Sequence, residues 1–160
     1  MSHSFLHRIM RTDAPAAVIL IRLMVGAVFL SEGIQKFWFP ESVGAGRFER
    51  IGFSAPLFWS YWVACFEVIC GSLILAGVFT RLAVIPTTTI MLVAISMTKI
   101  PILQSSGFWK MAHDARTDYA MLLGSVFLLI MGGGRWSLDR WLTGRRGGHE
   151  GHATGGGAAA

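Results

Sequence analysis

Four ionisable side chains and one amide stand inside stretches of the chain that are otherwise apolar: Arg22, Glu32, Gln35 and Lys36 in the first stretch, Glu67 in the second. An ionised group in hydrocarbon is costly, so such residues turn toward a bundle interior or a cavity and find partners. Glu32 and Lys36 are four apart, on one helical face and in the acid-first order that suits an ion pair. With residues 16–38 taken as one span, its midpoint falls near Ala27. Helical rise then sets Arg22 about 7 Å to one side and Glu32 about 7 Å to the other. Glu67 lies within about 2 Å of the midpoint of its own span, the deepest carboxyl in the chain.

Two arrangements would account for Glu67. It could pair with Arg22 as a purely structural clamp, since buried pairs can fix helix packing without doing chemistry. Alternatively it shares an outward-opening polar pocket with Glu32, Gln35 and Lys36, roofed by Lys99, His113, Arg116 and Asp118 from a later polar stretch. An unpaired carboxyl in hydrocarbon is most stable in its neutral form and can then donate a hydrogen bond to an oxygen of a quinone or another lipid-soluble ligand. Cys65 and Cys70 are five apart, about 140° around a helix, which suits neither a disulfide nor a CxxC pair. His113 with Asp114 and Asp118, and His149 with Glu150 and His152, are weak ligand sets, so no metal site is expected. Phosphate loops, nucleotide fingerprints and nucleophile elbows do not occur.

The elements that must hold these residues are set by composition. Of 160 residues, 53% are hydrophobic and only 14% charged, against roughly 25% charged in a soluble domain. A chain this short cannot bury so much apolar surface in water. A span needs about 20 apolar residues. The runs predict four, at about residues 15–38, 57–79, 82–98 and 115–134, within a transmembrane domain of residues 15–141. Residues 1–14 read as a polar amino-terminal segment and 142–160 as a disordered Gly-rich tail. Short connections make consecutive spans antiparallel. The expected fold is therefore all-α: an integral membrane four-helix bundle of antiparallel up-down topology.

Between the first two spans, residues 40–56 read as loop with one short interfacial turn near Arg47 to Ile51. Residues 99–117, with Pro101 and Gly107, read as an irregular polar connection. Every Trp falls near a span end, where an indole straddles headgroups. Seven Lys and Arg lie on the side of the termini and six on the other. The carboxyl-terminal arginines tip the balance toward both termini in the cytoplasm. The net charge of +5 suits anionic headgroups and does not call for nucleic acid.

The pattern Arg22-x3-Gly26-x2-Phe29-x3-Gly33-x2-Lys36, then Gly52-Phe53 and Pro56, then Glu67-x3-Gly71-x3-Leu75-x-Gly77-x2-Thr80-Arg81, resembles the DoxX family of small bacterial membrane proteins. Asp118-Tyr-Ala-Met-Leu-Leu and Gly132-x-Gly134-x2-Ser137-Leu-Asp139 extend the likeness, which spans roughly residues 16–141. The resemblance implies a four-helix protein of the bacterial inner membrane. It also implies a link to quinone-coupled sulfur oxidation or to oxidoreductase complexes that handle oxidative and thiol stress, with distant relatives acting as cargo or assembly factors. By the same resemblance Arg22, Lys36, Glu67 and Asp118 occupy the family's recurrent polar positions. The expected function is a membrane subunit that holds a quinone-like or lipid-like ligand and supports an oxidoreductase complex, with membrane lipid, redox proteins and further copies of itself as partners. The alternative is a non-catalytic scaffold or assembly factor whose intramembrane charges are structural. No intrinsic cofactor is encoded, a quinone is the candidate ligand, and whether the chain catalyses anything stays open.

Overall fold

Pro15 opens a turn in which Val18, Ile19 and Leu20 donate to the carbonyls of Pro15, Ala16 and Ala17, and the first helix, α1 (Val18–Trp38), runs on from it. The computed structural model describes residues 14–141. The Gly-rich tail and nearly all of the polar amino-terminal segment lie outside the described residues. Helix α1 stops before Pro40, whose ring disfavours helical backbone in Phe39. A short helix, α2 (Ala45–Ile51), follows, and α3 (Pro56–Ala76) starts with proline at its first position, where no amide donor is needed. Gly77 ends α3 in the left-handed region (φ 69°), returning its amide to Ile74 while Val78 bonds Leu73.

The last long element, α4 (Thr80–Met131), is 52 residues, and it overturns the expected four-helix antiparallel bundle. Among the described residues three helices, α1, α3 and α4, are long and apolar enough to cross a membrane. The residues expected to form a third span, a polar connection and a fourth span are one helical element. Its backbone leaves helical geometry at Gly107 (φ 81°, ψ 175°), a conformation open to glycine alone. The connection read as irregular is helical on both sides of that point because its polar residues bond along the helix, as in the Lys110–Asp114 pair at 3.1 Å, and because Pro101 is accommodated inside it. The chain reverses at Gly107. Arg81 donates to the carbonyl of Ile130 at 3.0 Å, and Lys99 pairs with Asp118 at 2.8 Å across the two arms. The all-α class stands.

Helices α1 and α3 pack antiparallel and very closely. A methyl on Gly33 would lie 2.8 Å from Val68 Cγ2 and 2.9 Å from the Ala64 carbonyl oxygen; one on Gly71 would lie 2.7 Å from the Leu30 amide nitrogen. Backbone cannot give way as a side-chain end can, so Gly33→Ala should lower stability by about 2 kcal/mol, read as a lower melting temperature in detergent. A melt unchanged from wild type would contradict this register. The interface uses Gly26, Gly33, Ala64 and Gly71, whereas Ala27, Ser31, Ser72 and Ala76 are exposed.

Val25 and Phe29 of α1, Ile74 of α3, and Val84 and Leu128 of α4 form the heart of the core. Leu20, Ile69, Leu82, Leu92 and Ile130 project outward from all three long helices, a surface suited to lipid and not to water. Thr87, Thr88, Thr89, Ser96 and Thr98 each donate to a carbonyl three or four residues back, which satisfies their hydroxyls inside α4.

Candidate functional site

The buried charges separate into two groups, one at each end of the helices. At the end where α1 begins, Arg22 reaches from α1 to backbone oxygens of α3 and of the segment after α4. Its Nε donates to Ile74 (2.9 Å), Nη2 to Leu75 (2.6 Å), and Nη1 to Gly133 (3.1 Å) and Trp136 (2.6 Å). The last carbonyls of a helix have no partner within it, so the guanidinium caps α3 and binds the segment after α4 in one stroke. Gly77 is required beside it, since a methyl there would lie 2.5 Å from Arg22 Nη2.

Asp139 completes this end. Its carboxylate accepts from the amides of Phe79 (2.9 Å) and Thr80 (3.4 Å), the first groups of α4, and its own amide donates to Gly77. Burial pushes the Asp139 carboxyl above the usual carboxylate range, against the opposing pull of those two amides and of the nearby Arg22 charge. The expected Arg22–Glu67 clamp does not form.

At the opposite end, where α1 finishes and α3 starts, Lys36 is the hub. Its ammonium lies 2.7 Å from Glu67 Oε2 and 3.6 Å from Glu32 Oε2, and both Lys36 and Glu67 are buried. The register set by Gly33 on Ala64 and Val68 brings these residues together: Lys36 stands one turn outside Glu67 and reaches inward to it. The Glu67 contact is a close, buried ion pair.

These groups stand on the wall of a cavity of about 640 Å³ between α1, α3 and both arms of α4. Most of its lining is apolar, including Phe29, Phe66, Ile90, Met97 and Met121. Helix α2 lines the cavity at this end with Arg47, Phe48 and Ile51. It is held there by Arg50, which donates to the carbonyls of Glu41 and Ser42, and by the ring series Phe48, Phe53 and Trp59. Asp118, paired with Lys99, also reaches the cavity.

Of the residues singled out from the sequence, Glu32, Lys36, Glu67 and Asp118 line this cavity, and Lys99 stands behind Asp118. Arg22 lies at the opposite end. Gln35 faces a separate groove and donates to Ser31 Oγ at 2.9 Å. His113 and Arg116 are exposed and do not line the cavity. Sequence reasoning passed over Arg47 and Asp139. Arg47 sat among Gly, Pro and other charges of a presumed loop, while Asp139 was legible only as part of a family pattern. No group of three or more His, Cys, Asp or Glu able to hold a metal occurs among the described residues.

An all-α chain with apolar outer surfaces, three membrane-length helices and inward-turned charges is a multi-pass membrane protein. The DoxX family profile matches residues 17–100. The chain is 51% identical over 144 residues to "Uncharacterized membrane protein Rv3486" of Mycobacterium tuberculosis (strain ATCC 25618 / H37Rv), covering 86% of this chain and 88% of that protein. It is 29% identical over 121 residues to "Putative oxidoreductase CatD" of Bacillus subtilis (strain 168), covering 76% and 83%. The chain belongs to the DoxX family. No solved structure matches it.

Proposed function

We propose that this DoxX-family chain is an inner-membrane subunit that holds a quinone-like or lipid-like ligand in the cavity and supports a membrane oxidoreductase complex. The observation that carries the reading is the cavity itself: an apolar chamber whose polar end is Lys36, Glu67 and Glu32. Ligand sites combine apolar walls with a few convergent polar groups in this way. The residues present fit a quinone-sized group. The Lys36 ammonium is a donor for a carbonyl oxygen, and the Glu67 carboxyl, held 2.7 Å from it, stands at the same polar end of the chamber. A quinone would supply electron-carrying chemistry; the chain's part is to bind the ring, orient it and exclude water. The kinship with CatD supports placing the subunit beside redox proteins.

A second reading, in which the charges only lock helices together in a scaffold or assembly factor, is favoured by the direct Lys36–Glu67 contact. Titrating a quinone analogue into purified wild type and Glu67→Gln separates the two. The pocket role predicts about tenfold weaker binding by the variant while it still melts as a cooperatively folded protein. Equal binding by the two proteins would sink it.

A further inference from the structure

Arg47 stands apart from the other cation that lines the cavity, Lys36, and from Lys99 behind Asp118. Arg22, Arg50 and Arg81 spend their donors on backbone carbonyls, Lys36 lies between two carboxylates, and Lys99 and Lys110 pair with Asp118 and Asp114. The Arg47 guanidinium lines the cavity mouth, half-buried, and makes no hydrogen bond or ion pair among the described residues. It adds to the positive field at Glu67 without touching it. The cavity's carboxylates are already engaged, Glu67 and Glu32 by Lys36 at 2.7 and 3.6 Å and Asp118 by Lys99 at 2.8 Å.

An open guanidinium fork matches the paired oxygens of a carboxylate or phosphate. Helix α2 carries it at the level of the aromatic belt made by Phe37, Trp38, Trp59 and Trp62, the depth of lipid headgroups. Beneath it the chamber is apolar, and Met91, Met97 and Met121 supply pliable walls for a flexible chain.

We infer that the cavity takes an amphiphile with an oxyanion head, a carboxylate or a phosphodiester, whose head is bound by Arg47 while its acyl chain runs down between α1, α3 and α4. This rests on the reading that the cavity is a ligand site and names the chemistry of the ligand's head. Dispersion along the chain supplies affinity; the Arg47 fork supplies selectivity for the charged head and fixes its orientation.

Trp59 and Trp62 on the cavity wall report occupancy. The full chain in a non-ionic detergent is titrated with dibromostearic acid, its methyl ester and brominated phosphatidylglycerol, and tryptophan quenching is followed. A Trp59→Phe, Trp62→Phe variant locates the quenching. At least one anionic probe should saturate about tenfold tighter than the ester. That preference should disappear in Arg47→Gln and largely return in Arg47→Lys. The tighter of the two anionic probes then tells a fatty-acid carboxylate from a phospholipid head. If acid and ester bind wild type alike, or if Arg47→Gln keeps the preference, the oxyanion assignment is overturned. Saturable, Trp59- and Trp62-dependent quenching by the ester would still leave the ligand site standing. Absence of saturable quenching by every probe, together with failure of the quinone analogue to bind, overturns the ligand site itself.

Discussion

Arg22→Leu should destabilise the protein by about 3–5 kcal/mol. Four carbonyl oxygens lose their donor at once, two at the end of α3 and two in the segment after α4. The bonds to Ile74 and Gly133 are fully buried and those to Leu75 and Trp136 partly so, and each unsatisfied group in an apolar surrounding carries its own cost. The Asp139 carboxylate also loses the charge that offsets its burial. Arg22→Lys keeps the charge but presents a compact donor in place of a planar fork, so its loss should be smaller, about 1–3 kcal/mol. Thermal unfolding in detergent, followed by circular dichroism, reads the series. A leucine variant that melts with wild type would remove Arg22 from its place as an anchor between α1, α3 and the segment after α4.

The second large effect belongs to the hub at Lys36. Lys36→Met strips the ammonium from between two carboxylates and leaves Glu67 buried without a counter-charge, which should cost about 3–5 kcal/mol. Glu67→Leu alone should cost less, because Lys36 keeps Glu32 at 3.6 Å and the Glu32 side chain is 42% exposed to the surroundings. The double variant Lys36→Met, Glu67→Leu should be far better than the sum of the singles, with a coupling of roughly 3 kcal/mol. Simple additivity in that cycle would mean that the contact contributes nothing specific. All three variants should also bind the quinone analogue more weakly if the cavity is a ligand site, the double variant while keeping more stability than the two single losses would leave. Stability and binding thus report on separate questions.

Much of the fold was legible because hydrocarbon imposes simple rules. Apolar runs of span length and the turning-inward of charges follow from the cost of unsatisfied polar groups. The third and fourth runs misled because Pro101 and Gly107 are loop signals in a soluble chain. In this protein Pro101 rides inside the helix and Gly107 alone marks the reversal. Punctuation by residue type does not say whether the chain leaves the helix for one residue or for twenty.

The site shows the same division. Glu32 and Lys36 could be paired from spacing alone, since both stand on one helix. Linking Lys36 to Glu67 needs the register of α1 against α3, and that is set by contacts of Gly33 with Ala64 and Val68 that no single helix reveals. Arg47 reaches the cavity because α2 folds over its mouth, a tertiary event with no periodic signature in a seven-residue helix.

The anchor at Arg22 joins parts of the chain 111 positions apart, Arg22 and the Gly133 carbonyl. During synthesis the hairpin of α1 and α3 is inserted long before its final acceptors have left the ribosome. Until they arrive, a bare guanidinium waits in the bilayer with only half of its carbonyls. Completion of the polypeptide is therefore what closes the structure, and nascent chains halted short of Gly133 should stay recognisable to membrane quality control as unfinished.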